Sequence, residues 1–557
     1  MERNRPASRA PKLISFALAL AAVTASPPAR AEGEVCSLHR ELSAERLLRR
    51  LSIDLRGAVP DVTEYDKVAG KEGIPDEILQ AYLDSDEFRL QMRRYHEDLL
   101  WTNPSAVLGD VGFSLSSATI GSGPVYFVTS TTKRKLYRGG DGTHNCQDKP
   151  QSALGYDAEG LPNVEMMGTD ATGPYYAEGW VEVHPYWEAD PQKKIRVCAF
   201  DAQATASYTL PAGDADAGTH TCDDLFAVSK SKSCGCGPNL DYCLSTNPVQ
   251  AAVLGSMREQ LLRVVDAHTD GKLPYSELIT TKRVPINGPL THYFKHLAQR
   301  QSLSRVQSAH QKADGPLPAL AFTDADTWVE VEREEPHSGV LTLPAYLLRF
   351  QTNRGRANRY RIAFEGEYFQ PPSALDTGCQ KEGEDLTTRC VCRHCHIALE
   401  PLAAHFGQLA EAGSLAVRDF TREFGTYKAC QQAGPIVSAA WCDRFYVSSP
   451  DSVDPDIRPY RLKALRYADA AHPEIEPNFD GGPSALAQED IKSGVFHTVA
   501  TRHLFEMLMK REPNLDPTSA DFEGETLDSI AKEFKGHDNL KLAIESLVKL
   551  PAYRRMP

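Results

Sequence analysis

The chain has 557 residues, material for about three or four domains, and carries 75 Asp and Glu against 61 Lys and Arg for a formal net charge of −14. Nucleic-acid phosphates are held by Lys and Arg, so no nucleic-acid partner is expected for so acidic a protein. Its 13 cysteines are an odd number, which leaves at least one thiol without an intrachain bridge.

The opening residues, MERNRPASRAPKLISFALALAAVTASPPARA, run basic, then apolar from Leu13 to Ala25, then small, ending in Ala29-Arg30-Ala31. That order is the pattern of a secretory signal peptide, here residues 1–31. The apolar run is shorter than the roughly 18 to 20 residues that span a bilayer. A periplasmic or extracellular protein is expected, with no membrane span after cleavage, in a compartment where cysteines pair.

Residues 32–104 read as a helical module. Leu47, Leu48, Leu51 and Leu55 recur at helical spacing, and Gly57 follows where a left-handed stop is least strained. Asp61 and Glu64 have capping-box spacing. Ile78, Leu79, Tyr82 and Leu83 form one stripe and Phe88, Met92, Tyr95 and Leu99 another, with Ser85 or Asp86 as the cap between them. Residues 105–245 change character: GPVYFVTST, GWVEVHPYW and KKIRVCAF alternate as strands do, between Gly-, Thr- and Asp-rich loops. This β-rich insert holds Cys146, Cys198, Cys222, Cys234, Cys236 and Cys243. Disulfides are the expected state, for CGCGPNLDYC as well, because no histidine lies close to it in sequence. Residues 246–338 return to helices, opened by Asn247-Pro248 and continuing through GPLTHYFKHLAQR, with one strand-like stretch in TWVEVERE.

Within residues 339–445 lies CVCRHCHIALEPLAAHFG, which begins at Cys390. Cys392-Arg393-His394-Cys395-His396 has the Cys-x-x-Cys-His spacing of c-type haem attachment. Two thiols so spaced add to the two vinyl groups of one haem, and the adjacent imidazole binds its iron as proximal ligand. Two other chemistries fit the residue types. Cys390, Cys392, Cys395 and His396 form a zinc-type ligand set, although a tight one. The same thiols also have Cys379, Cys430 and Cys442 available as disulfide partners. If the stretch after His396 is helical, Ile397, Leu399, Leu402 and Phe406 offer an apolar face to a ring, whereas His405 lies about 13 Å up the axis, too far to reach the same iron.

Residues 446–557 form a C-terminal helical domain, with helices expected at Phe496 to Lys510, at Leu527 to Phe534 ended by Gly536, and at Leu540 to Leu550 ended by Pro551. His503 and Met507, four residues apart along the apolar stripe of Phe496, Val499, Ala500 and Leu504, are the candidates for a sixth iron ligand. The expected fold class is α+β: mainly helical N- and C-terminal modules around a Cys-x-x-Cys-His segment, with a β-rich, disulfide-containing insert.

LLRRLSIDLRGAVPDVTEY, LDSDEFRLQMRRYHEDLLW, GVLTLPAYLLRF with RGRANRYRIAFEGEYFQPP, CRHCHIALEPLAAHFG, and the C-terminal GPSALAQ, RHLFEMLMKRE and LAIESLVKLPAYR carry a resemblance. Through them the chain resembles a family of exported, functionally uncharacterised proteins abundant in planctomycetes and myxobacteria, whose domains are often fused to or encoded beside cytochrome c domains. The resemblance implies Cys392, Cys395 and His396 as the positions for one haem c. It departs from the family pattern at Glu400, where an Asp is usual, and at Ala403, where a Gly is usual.

The function expected on these grounds is an exported single-haem redox or electron-transfer protein, serving a redox partner protein or a cell-surface assembly. Arg354, Arg356, Arg359 and Arg361 are candidates to meet haem propionates, or else form a solvated basic face. A five-coordinate iron would instead suit a peroxidase-like enzyme. The alternative is a haem-free, disulfide-stabilised extracellular binding protein for a polysaccharide or cell-surface partner, with Tyr175, Tyr176, Trp180, Tyr186 and Trp187 as its working surface.

Overall fold

The computed structural model describes residues 41–101, 114–214, 217–222, 230–245, 248–298, 316–368, 394–396, 398–399, 402–403, 405–416 and 481–555. The expected signal sequence, residues 1–31, and Cys379, Cys390, Cys392, Cys430 and Cys442 lie outside the described residues.

Local sequence signals set the first helices. Helix α1 (Ala44–Arg56) starts where Ser43 accepts from the Arg46 amide and stops at Gly57, whose φ of 68° is the expected left-handed turn. Helix α2 (Val62–Val68) carries the full capping box: Asp61 accepts from the Thr63 amide at 2.9 Å, and Glu64 accepts from the Asp61 amide at 2.7 Å. Helices α3 (Asp76–Leu83) and α4 (Asp86–Leu100) follow, and Ser85, rather than Asp86, caps the second.

The insert is built on a five-stranded sheet. Strands β1 (Ser114–Ile120) and β2 (Gly123–Val128) form an antiparallel hairpin followed by helix α5 (Thr131–Arg138). Strands β3 (Glu165–Asp170) and β4 (Gly173–Ala177) make a separate hairpin. Strand β5 (Trp180–Val183) pairs antiparallel with β6 (Ile195–Cys198), which runs parallel to β2. After a hairpin of β7 (Ser207–Leu210) and β8 (Gly218–Thr221), β9 (Leu244–Ser245) closes the sheet parallel to β1. All six expected cysteines are oxidised, as Cys146–Cys198, Cys222–Cys234 and Cys236–Cys243.

The rest is mainly helical: α6 (Pro248–Thr269), α7 (Gly288–His292), α8 (Pro344–Arg349), α9 (Asn353–Tyr360), α10 (Gly482–Ser493), α11 (Val495–Met509), α12 (Gly524–His537), α13 (Leu540–Val548) and α14 (Pro551–Arg554). A two-stranded antiparallel sheet of β10 (Arg283–Ile286) and β11 (Val329–Glu332) accounts for the strand expected in TWVEVERE. Two C-terminal boundaries differ from expectation. Helix α12 runs through Gly536 and turns at Asp538, with φ 49°. The Asp538 carboxylate accepts from the Ser276 amide and hydroxyl and faces His497 at 3.2 Å, so tertiary bonds hold a non-glycine residue in the left-handed region. Pro551 opens α14 rather than only ending α13, the first-turn position where its missing N–H does no harm.

One buried apolar cluster draws on α1, α4, α6, α8, α9, α11, α12 and α13, with Leu48, Met257, Leu341 and Leu504 fully inside it. The first and last described helices meet there. Arg50 donates to the Tyr553 carbonyl at 2.9 Å, and the Tyr553 hydroxyl donates to Asp54 at 2.9 Å. Among the described residues no helix is long and apolar enough to cross a membrane.

His96 is fully buried in this core between the Met92 carbonyl at 2.7 Å and the Tyr275 hydroxyl at 3.0 Å, and burial pushes its pKa down to about 4. Between the unfolded value near 6.5 and that lowered value, the unfolded chain binds a proton that the fold does not. Stability contributed by neutral His96 is therefore present above pH 6.5 and falls as the pH drops toward 4. A His96→Gln variant is expected to show a flatter decline than the parent across that window in denaturant titrations at stepped pH. An unchanged slope would refute the assignment.

Candidate functional site

Of the haem-type positions, Cys395 and His396 lie in a helical turn, each half-buried, beside an exposed His394. Among the described residues Cys395 is unbridged, whereas the six insert cysteines are all paired. The residues beyond turn inward: Leu399, Ala403 and Phe406 are buried, and Phe406 stacks on Tyr346 with ring centroids 6.4 Å apart. Of the residues expected to offer an apolar face to a ring, Leu399 and Phe406 belong to the protein's own core, Leu402 packs against it and Ile397 lies outside the described residues. Ala403 is fully buried. His405 shares a hydrogen bond between Nδ1 and the Gly482 carbonyl at 3.1 Å, and burial pushes its pKa down to about 4.

His503 and Met507 sit on the shoulder of α11, both half-buried, while Phe496, Val499, Ala500, Leu504 and Leu508 fill its inner face. The two differ in what they leave available. Met507 packs against the main core, whereas His503 has its Nδ1 3.8 Å from Glu506 and its Nε2 buried with no hydrogen-bond partner among the described residues. Among the described residues no hydrogen bond or ion pair joins either to Cys395 or His396. Helix α11 does pack on the wide turn Arg361–Glu365, from which the chain leaves toward the motif.

The arginines near that turn are held by the protein itself. Arg356 is buried and donates to the carbonyls of Leu347, Phe350, Leu409, Ala410 and Gly413. Arg359 donates to the Asp98 and Leu99 carbonyls and lies over the Trp101 ring, and Arg361 pairs with Glu367. Beside them Tyr360 donates to Asp490 at 2.5 Å. Burial, reinforced by their mutual repulsion, raises Glu365 to about 8, and burial raises Asp490 to about 6. These two carboxyls are able to hold a proton near neutral pH.

A second site was missed in the sequence. Asn287 caps α7, its side chain accepting from the Leu290 amide and donating to Ser256 and to the Ala325 carbonyl. Gly288 lies so close to the next segment that a Cβ would fall 1.9 Å from the Ala321 carbonyl oxygen. Cap and glycine thus clamp residues 321–325 against α7. The helix ends at His292 and widens into a π-turn, Tyr293–Leu297, that sets the His292 and His296 rings side by side at 4.7 Å. Asp241 arrives from the loop closed by Cys236–Cys243. Together the three residues bring one ligand-type atom each within 4.8 Å of the others.

The three residues line a cavity of about 740 Å³ whose far wall is Leu317 to Phe322. Tyr186 stacks on His292 at 3.7 Å and donates to the Cys243 carbonyl at 3.1 Å, fastening the loop to the ring. Burial pushes His292 down to about 3, with His296 adding to the effect, so the imidazole is neutral at ordinary pH. The available sequence signal was His292-x-x-x-His296 at the i, i+4 spacing that puts two imidazoles on one helix face.

Other clusters are already engaged. Asp170 accepts from the Asp141 and Thr172 amides and from His144, forming a turn, and Glu178 pairs with Arg138 beside the Cys146–Cys198 bridge. None of Tyr175, Tyr176, Trp180, Tyr186 and Trp187 is fully exposed. Tyr175 stacks on His144, Trp180 lies under Arg196, and Trp187 packs into the core.

No protein-family model, curated protein or solved structure matches this chain. The chemistry of both sites rests on their own residues.

Proposed function

We propose that the protein is an exported, single-haem c-type redox protein that passes electrons to a partner protein or cell-surface assembly, with haem bound through Cys392 and Cys395 and His396 as proximal ligand. The observation that carries this reading is the unbridged, half-buried Cys395 next to His396, in a chain whose insert cysteines are fully paired. An oxidising compartment closes thiols into bridges wherever partners allow. The cysteines open to Cys395 as bridge partners, Cys379, Cys390, Cys392, Cys430 and Cys442, lie outside the described residues. The donor set fits the group: a thiol, an adjacent imidazole and a following apolar turn. When bound, haem would supply one-electron chemistry at its iron.

The chain's own residues would govern access to that iron. The turn after His396 is anchored in the core by Leu399 and Phe406, which fixes the direction in which the motif leaves the fold. On the other side His503 has the better claim to the sixth position, because its Nε2 is buried and unpartnered while Met507 is packed. Expression with haem-attachment machinery, followed by denaturation, a haem stain and intact mass, tests the reading. One added haem on a chain beginning at Glu32 is expected, and a mature mass without haem and without a Soret band sinks the proposal. A His503→Ala variant should convert a low-spin ferric spectrum to high-spin, whereas a wild type that is already high-spin would exclude His503 and favour an open, peroxidase-like iron.

A further inference from the structure

We propose that His292, His296 and Asp241 form a second, non-haem site for a divalent transition metal, open on one side to the 740 Å³ cavity. The inference is independent of the haem reading, since it uses neither the motif nor α11.

Three features set this cluster apart from histidines that merely fill a core. The first is ligand type and number. Two imidazoles and one carboxylate make a three-ligand set for zinc or ferrous iron, which leaves coordination positions for water or substrate. The second is the support behind the ligands. The Nε2 of His292 lies 3.0 Å from the Asp241 carbonyl oxygen, where it donates and fixes the tautomer, leaving the lone pair on Nδ1. Among the described residues Nδ1 has no hydrogen-bond partner. A ligating imidazole whose other nitrogen donates to a backbone carbonyl is the usual outer-shell arrangement of metal sites. The third is rigidity. The disulfide loop fixes Asp241, Tyr186 holds both that loop and the His292 ring, and the clamp at Asn287 and Gly288 fixes the opposite wall. A site held this firmly is pre-organised for its ion.

The surroundings define what the open positions would take. Lys295 on the cavity rim is the one cation among the lining residues, and its charge opposes a metal while attracting an anionic ligand. The far wall is apolar, Leu317 through Phe322. The cavity therefore suits a small ligand with an oxygen donor for the metal, an anionic group within reach of Lys295 and an apolar body against the wall.

The test uses the full chain in a Cys392→Ser, Cys395→Ser background, which removes the motif thiols as competing ligands, with Co²⁺ as the probe. One equivalent of Co²⁺ should bind without the near-ultraviolet charge-transfer absorption of thiolate ligation. Asp241→Asn and His296→Gln, both at half-buried positions, should each weaken binding by more than about 100-fold, beyond the 10- to 100-fold typical of losing an outer-shell partner. An anomalous-scattering map of the Co²⁺-loaded protein, which needs no ligand variant, should place the ion between the three side chains. No binding by the folded protein, unaltered affinity in both variants, or an ion bound elsewhere would each overturn the proposal.

Discussion

Replacing Glu178 by Gln should destabilise the protein by about 3–5 kcal/mol, the range for removing one partner of a buried ion pair. Arg138 and Glu178 are both wholly inaccessible, and the guanidinium donates to the carboxylate from Nε at 2.9 Å and from Nη2 at 2.5 Å. A third donor, Nη1, reaches the His144 carbonyl at 2.6 Å. Without the carboxylate, a guanidinium would remain in the interior with only neutral acceptors, and water could not reach it without opening the sheet. Removing both charges is a different experiment. An Arg138→Met, Glu178→Met double variant leaves no buried charge, and well-packed apolar replacements of such pairs are often neutral or stabilising. The double variant should therefore lose less than Glu178→Gln alone, and the sign of that difference is the decisive measurement. Trp180 and Trp187 in the insert report its unfolding by fluorescence under oxidising conditions. A loss of under about 1 kcal/mol for the single variant, the value of an exposed pair, would show that the site is wet.

Helix α5 shows why the sequence was legible in some places and opaque in others. Its residues, TTKRKLYR, look like a solvated turn, yet Lys133, Arg134 and Arg138 are all buried. Lys133 donates to the Cys234 carbonyl at 2.7 Å and lies 3.8 Å from Asp201, which also accepts from Tyr137 and the Val128 amide. Arg134 finds its acceptors nearby, from Thr143 to Asn145, but the Glu178 that pairs with Arg138 and the Cys234 carbonyl that holds Lys133 lie 40 and 101 residues away, so no local pattern announces them. The stop at Gly57, the capping box at Asp61 and the strand within GPVYFVTST were readable because each is settled within a few residues. The same contrast divides the two sites. Cys-x-x-Cys-His is a contiguous pattern, whereas Asp241 and His292 are 51 residues apart and meet only because a disulfide loop, an aromatic stack and a π-turn converge. Asp538 extends the lesson to helix ends: a glycine two residues earlier is the stronger local stop, but bonds from Ser276 and His497 outweigh it.

An Arg356→Met substitution should be still more disruptive, at least about 4 kcal/mol, the scale at which a single change is diagnostic of a broken buried network. The guanidinium donates to the Asn353 side chain at 2.7 Å, the Ala410 carbonyl at 2.7 Å, the Gly413 and Phe350 carbonyls at 3.0 Å, the Leu347 carbonyl at 3.2 Å and the Leu409 carbonyl at 3.3 Å. Methionine has the length to fill the space but no donor, so these carbonyls would lose an acceptor role in a place that water does not enter. Each buried polar group so stranded costs about 1–3 kcal/mol. Arg356→Lys should recover little, because three donors on one nitrogen cannot reproduce a planar fork that serves two chain segments. The damage has a direction. Leu347, Phe350 and Asn353 belong to one side of the contact, while Leu409, Ala410 and Gly413 belong to the stretch that follows the Cys-x-x-Cys-His segment. Loss of the fork should therefore release residues 405–416 before it unfolds α9. Amide hydrogen exchange reads that order: protection at Ala410 and Ala412, whose amides bond to the Leu415 and Gln351 carbonyls, should fall first. If exchange there instead stays as slow as in α6, this segment is held by Phe406 and its neighbours, and Arg356 only satisfies its own helix.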